Sequence, residues 1–144
     1  MRLWHYKLIP FLPKSQLLAQ WRELNSIYKK QDKHILINYI YEYPREDLLV
    51  YSLLVMSEMD LRGIEIKKLD NFDKYFASVY VKNIPNFETY VPFAKHHNNR
   101  YLLQCFYNLQ EKYDCGQKDF DSSRYWKIFN IVRDELDMQP LIFQ

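Results

Sequence analysis

"KSQLLAQWRELNSIYKK", residues 14–30, decides the fold. Leu17, Leu18, Trp21, Leu24, Ile27 and Tyr28 recur at intervals of three and four, which lines them along one side of a helix of about 3.6 residues per turn. Arg22, Ser26, Lys29, Lys30 and, just beyond, Lys33 fall toward the other side. This helix has an apolar back to bury and a basic front to show. Pro13 suits its first turn, where a backbone N–H would lack a partner anyway.

Working outward, residues 2–12 read as extended, and Pro10 and Pro13 frame a turn before the helix. "HILINYIYEY", residues 34–43, is an aromatic and aliphatic run of either type, closed by Pro44. "REDLLVYSLLVMSEMDLRG", residues 45–63, opens with acids, runs apolar at helical spacing and ends in Arg62-Gly63, which are the expected start and stop signals. A short helix is expected near Asn71 to Val81, and Pro85 and Pro92 mark a loop. A further helix runs from Asn99 to Asp114, with Asn98 or Asn99 as its cap and Gly116 as its stop. The last runs from Asp121 to Leu136, with Tyr125, Trp126, Ile128, Phe129, Ile131 and Val132 as its buried side. The closing "PLIFQ", residues 140–144, is read as completing the core. Strand content is expected to be minor or nil. The fold class is all-α: one compact domain over residues 1–144, with four to five helices and irregular connections.

Composition agrees. The chain has 144 residues, 48% of them hydrophobic, which argues against disorder and allows a real core. Its two glycines argue against a Gly-rich phosphate loop, a β-barrel or a doubly wound sheet. Thirteen tyrosines and three tryptophans place aromatic rings either in the core with a satisfied polar tip or at a binding surface. The net charge of +2 neither demands nor excludes a nucleic-acid partner, since a basic face can hide in a near-neutral total. Cys105 and Cys115 form no C-x-x-C and no disulfide framework. The N-terminal stretch has no unbroken apolar region and no small-residue cleavage site, so it is read as mature protein. No segment reaches the roughly 18–20 apolar residues of a membrane span. The expectation is a soluble, reduced, cytoplasmic protein with no membrane partner.

Arg22-Glu23 admits two readings. Adjacent helical residues point about 100° apart and do not pair with each other, so they can be solvated decoration. Alternatively, a carboxylate held ionised by nearby cations can act as a base or stabilise a developing positive charge. His96, His97 and Cys105 could be drawn as a metal site, but their spacing fits no zinc pattern, and the reading is no metal. The basic front is a solvated face or a phosphate-contacting one.

"LIPFLPKSQLLAQWREL", followed by Lys33-His34, resembles the start of the pyrimidine-dimer DNA glycosylases of the phage endonuclease V type. "EMDLRGIEI" resembles the end of that family's middle helix; together the two stretches cover roughly residues 1–67. "MRLWHYKLIP" and "HHNNRYLLQCFYNLQEKYDCG" are similar to uncharacterised bacterial proteins grouped with those enzymes. The resemblance implies a bifunctional glycosylase and abasic-site lyase acting on double-stranded DNA, as a monomer and without a cofactor. It implies that an N-terminal α-amine attacks the sugar C1′ and forms an imine, while Glu23 stabilises the sugar cation and moves protons. An α-amine with a reference pKa of about 7.7 to 8.0 is partly neutral near physiological pH. Here that amine is Met1, because Arg2 is too large for ordinary methionine removal. The implied DNA contacts are Arg2, Arg22, Lys29, Lys30, Lys33 and His34. Ser26 and Gln16 stand where the family has an arginine and a histidine. The alternative is a non-catalytic helical module, binding nucleic acid or protein on the same scaffold.

Overall fold

The computed structural model describes residues 2–137. Five α-helices carry the fold: α1 (Lys14–Lys29), α2 (Arg45–Leu61), α3 (Leu69–Tyr75), α4 (Asn99–Asp114) and α5 (Ser122–Asp137). No strand occurs among the described residues, and the all-α expectation holds.

α2 is the axis. Leu48, Leu49, Val50, Tyr51, Val55 and Met59 are all buried, so apolar residues wrap around this helix instead of forming one stripe. A helix that is apolar on every side must be enclosed. α1 lays its Leu17, Trp21, Leu24 and Tyr28 side on α2 and α3, while α4 and α5 pair with each other. The N-terminal segment bridges the two groups by touching both α2 and α5.

Local chemistry sets the ends of the helices. α2 carries Glu46 and Asp47 in its first turn, where the helix dipole favours acids. At its far end Gly63 adopts φ +69°, and the Ile64 N–H donates back to the Met59 carbonyl at 2.9 Å. That closure needs a left-handed residue, which glycine supplies without strain. Asn98 caps α4 through its side chain, which accepts the Tyr101 N–H at 2.9 Å.

Three expectations require correction. Residues 6–11 are not extended: Tyr6–Phe11 form a 3₁₀ helix with Pro10 inside it. Its start is held by His5, whose side chain accepts the Lys7 N–H. The short third helix covers Leu69–Tyr75, earlier than the sequence spacing suggests. On α5, Trp126 lies outside the buried side, at 53% exposure. Residues 140–144 and Met1 lie outside the described residues.

Candidate functional site

Gln20 organises the site. It is buried on the apolar side of α1, and its amide pairs with the backbone of the N-terminal segment. Its Oε1 accepts the Trp4 N–H at 2.8 Å, and its Nε2 donates to the Arg2 carbonyl at 3.1 Å. The side chain thus acts as a short piece of partner strand. Tyr51 of α2 supports it, with its hydroxyl 2.6 Å from the Trp4 carbonyl and 2.9 Å from Gln20 Oε1. A chain that would otherwise fray is therefore tied to α1 at residue 2.

Glu23 lies one turn further along α1, on the side that Gln20 shares by the three-residue spacing. It is partly buried, and its Oε1 is cut off from solvent with no hydrogen-bond partner among the described residues. Buried polar atoms are nearly always paired, so an orphaned carboxylate oxygen calls for an explanation. Burial raises the Glu23 pKa, and the Asp32 charge pushes in the same direction while His34 opposes it. Burial thus acts against the cations that the sequence placed beside this carboxylate. Arg22 points away into solvent, so burial dominates.

The surroundings are aromatic. The Arg2 guanidinium sits 5.6 Å from the Trp4 ring and 6.0 Å from the Tyr101 ring, and 3.9 Å from Cys105 Sγ. Tyr101 donates to the Leu3 carbonyl. His97 accepts the Tyr6 N–H on Nδ1 at 3.2 Å and meets the Tyr39 hydroxyl on Nε2 at 2.7 Å. His5 Nδ1 accepts the Lys7 N–H, so its Nε2 carries the proton and donates to the His97 carbonyl at 3.0 Å. Burial lowers the His5 pKa to about 4 and holds His97 well below its usual value, so both are neutral. They serve as packing and hydrogen-bonding groups beneath the site.

Arg22, Lys29, Lys30, Lys33 and His34 are all exposed. Arg22 and Lys29 line a groove of about 490 Å³ floored by Trp21, with Lys67 and Lys68 opposite. Lys29 and Lys30 line a second groove of about 470 Å³ with Tyr41, Tyr75 and Arg45. None of these α1 cations forms an ion pair among the described residues. Ser26 is turned back on its own helix and donates to the Arg22 carbonyl at 3.2 Å. No cluster of three or more potential metal ligands occurs among the described residues. His96 bonds Tyr43 and faces Glu42, and Cys105 is a buried free thiol.

Sequence reasoning missed Gln20 and the groove residues Lys67 and Lys68. A glutamine in the Leu17, Trp21 and Leu24 stripe was the available signal for the first. The second depends on how the α2–α3 connection folds over α1, where the Trp21 indole N–H donates to the Lys67 carbonyl at 2.9 Å.

Fold and site define a small helical protein with a partly buried carboxylate, one oxygen of which has no hydrogen-bond partner among the described residues, beside a cationic helix face suited to an anionic substrate. A family model described as pyrimidine dimer DNA glycosylase matches residues 1–72, half of the chain, and the chain belongs to that family. The match covers α1, α2 and the start of α3, and so includes Gln20 and Glu23. No curated protein and no solved structure matches the chain. No helix among the described residues is long and apolar enough to cross a membrane.

Proposed function

We propose that this protein is a glycosylase and abasic-site lyase acting on damaged duplex DNA, at pyrimidine dimers or abasic sites, through its N-terminal α-amine. The observation that carries the reading is the orphaned Glu23 Oε1, one helical turn from the Gln20 amide that ties down residue 2. In this reading the Met1 amine attacks C1′ of the damaged nucleotide, and the C1′–N bond breaks as the base leaves with a proton. The amine loses its own proton, and the sugar ring opens to an imine. At an abasic site the same imine forms from the aldehyde with loss of water. Glu23 then removes a C2′ proton, the C3′–O bond breaks, and the 3′ phosphate departs. Hydrolysis of the imine frees the amine.

A carboxylate whose basicity is raised by burial is a stronger base for the C2′ proton. Its Oε1, without a partner among the described residues, is ready to accept from the cationic nitrogen or the sugar, and a preplaced charge needs little rearrangement when positive charge develops. The Arg2 guanidinium, over the Trp4 ring and next in sequence to Met1, adds a positive charge that favours a neutral, nucleophilic amine. Arg22, Lys29, Lys30, Lys33 and His34 contact phosphates. Extruding the damaged nucleotide gives a protein of this size access to C1′. The protein works as a monomer in the cytoplasm, where Cys105 and Cys115 remain thiols, and amine and carboxylate carry the chemistry without a cofactor.

Borohydride trapping tests this directly. Wild type, Glu23→Gln and an N-terminally blocked form are mixed with duplexes carrying an abasic site or a thymine dimer. A covalent adduct seen only with the free amine establishes the imine. Adduct on the dimer duplex adds glycosylase activity, and adduct confined to the abasic duplex leaves a lyase. No adduct from folded wild type sinks the enzyme reading. The non-catalytic helical module then takes its place, a reading that Ser26 favours by offering no cation beside Arg22.

A further inference from the structure

The loop leaving α1 ends in an apolar tip. Ile35 is 80% exposed and Leu36 46% exposed. Single exposed aliphatic residues are ordinary on protein surfaces. This pair, however, is presented by a turn whose backbone is already fixed. The His34 N–H donates to Asp32 Oδ1 at 2.9 Å, and the Leu36 N–H to His34 Nδ1 at 3.2 Å. The Ile37 and Asn38 N–H groups both donate to the His34 carbonyl, at 3.0 and 2.9 Å. The Asp32 N–H donates to the Tyr41 hydroxyl at 2.7 Å, and Ile37 is completely buried beneath the turn. The tip cannot fold inward without breaking these bonds.

Charge surrounds the tip. Ile35 and Leu36 edge a groove of about 270 Å³ that also holds Lys95, Arg100 and Tyr101. Lys33 is exposed beside them. The nearby acids are engaged: Asp32 accepts from the turn itself, and Glu42 lies 3.6 Å from His96. The charges of Asp32 and His34, in the same turn, act on Glu23. Duplex DNA matches this arrangement, because it sets phosphates outside a stack of apolar base faces. Apolar side chains inserted at a base step partly unstack and kink the duplex.

We propose that Ile35 and Leu36 form a preset wedge that enters a base step beside the nucleotide under attack, with Lys33, Lys95 and Arg100 on the flanking phosphates. The wedge rests on the DNA-repair reading above. It explains how a rigid helical protein could open the stack at a sugar that a duplex normally shields.

The test uses a duplex with a tetrahydrofuran abasic analogue, which cannot form an imine, flanked by 2-aminopurine, whose fluorescence rises on unstacking. Wild type and Ile35→Ala/Leu36→Ala are compared at equal fractional occupancy, with Ile35→Leu as the conservative variant and circular dichroism as the folding check. The wedge requires a fluorescence rise with wild type and Ile35→Leu that drops by about fivefold or more in the double alanine variant. An equal rise in the alanine variant overturns it, as does wild type that leaves the stack closed or fails to bind. Trapping by wild type on a natural abasic duplex is run alongside. Unstacking without trapping keeps the wedge and removes the imine, and trapping without unstacking does the reverse.

Discussion

At the scale of single residues, Glu23 holds an unfavourable position. Its Oε1 is buried without a hydrogen-bond partner among the described residues, and burial raises its pKa. A carboxyl with a raised folded pKa is stabilising only while protonated, so its cost is felt as pH rises through the folded value. Glu23→Gln should therefore unfold at a higher temperature than wild type at pH 7. The rise is on the order of 2 °C, small because water still screens a partly exposed group. The gap should close below the carboxyl's ordinary pKa of 4.5, where wild type is itself neutral. Calorimetry at pH 7 and pH 4 checks this, and a variant that is less stable at pH 7 removes the argument that the site is strained for function. The Arg22-Glu23 pair was visible in the sequence, but its environment was not. Adjacent helical residues diverge by about 100°, so Arg22 reaches solvent while Glu23 meets the interior. Which of the two is buried is decided by α2 and the N-terminal segment, and no local pattern encodes that.

At the scale of elements, the helices were legible where apolar spacing and end signals agreed. α1 begins at Lys14, α4 runs from Asn99 to Asp114 and α2 ends just before Gly63, each as the residues implied. The N-terminal 3₁₀ helix was not legible, because Pro10 reads as a breaker and the turn is instead held by His5, Lys7 and His97. Nor was the Gln20 clamp, the contact that joins an element to a function. Gln20→Ala strips partners from the Trp4 N–H and the Arg2 carbonyl together. The expected stability loss is about 2 kcal/mol, since unsatisfied buried groups cost about 1–3 kcal/mol each and water can reach one of them. Borohydride trapping should slow by about tenfold, because small displacements of a reacting group are expensive in rate. Urea denaturation and trapping kinetics, taken below the unfolding transition, separate the two effects. Full trapping speed in a destabilised Gln20→Ala would show that the clamp holds the fold and does not position the amine.

At the scale of the whole molecule, two fields act in opposite places. Inside, His5 and His97 are neutral beneath the site, with folded pKa values held low by burial. Groups depressed in the folded state contribute stability above their unfolded pKa and lose it as pH falls. The free energy of unfolding should decline from about pH 6.5 toward the His5 value of about 4, at up to about 1.4 kcal/mol per pH unit for each histidine. Urea titrations at pH 7, 6 and 5 measure the slope, and a flat profile would mean the imidazoles take up protons in the fold as readily as in the unfolded chain. Outside, Arg22, Lys29, Lys30 and Lys33 stand exposed along one side of α1 and its exit, with no ion pair among the described residues. Exposed cations outside any ion pair favour a polyanion, and each phosphate contact releases condensed counterions. If all four engage, the logarithm of the duplex association constant should fall against the logarithm of salt with a slope near −3.6. Arg22→Gln and Lys29→Gln should each flatten that slope by about 0.9, with no change in the circular dichroism spectrum. Fluorescence anisotropy from low to physiological salt gives the slopes. Unchanged slopes in both variants would take the DNA off α1 and leave the α1 cations as ordinary solvated charge.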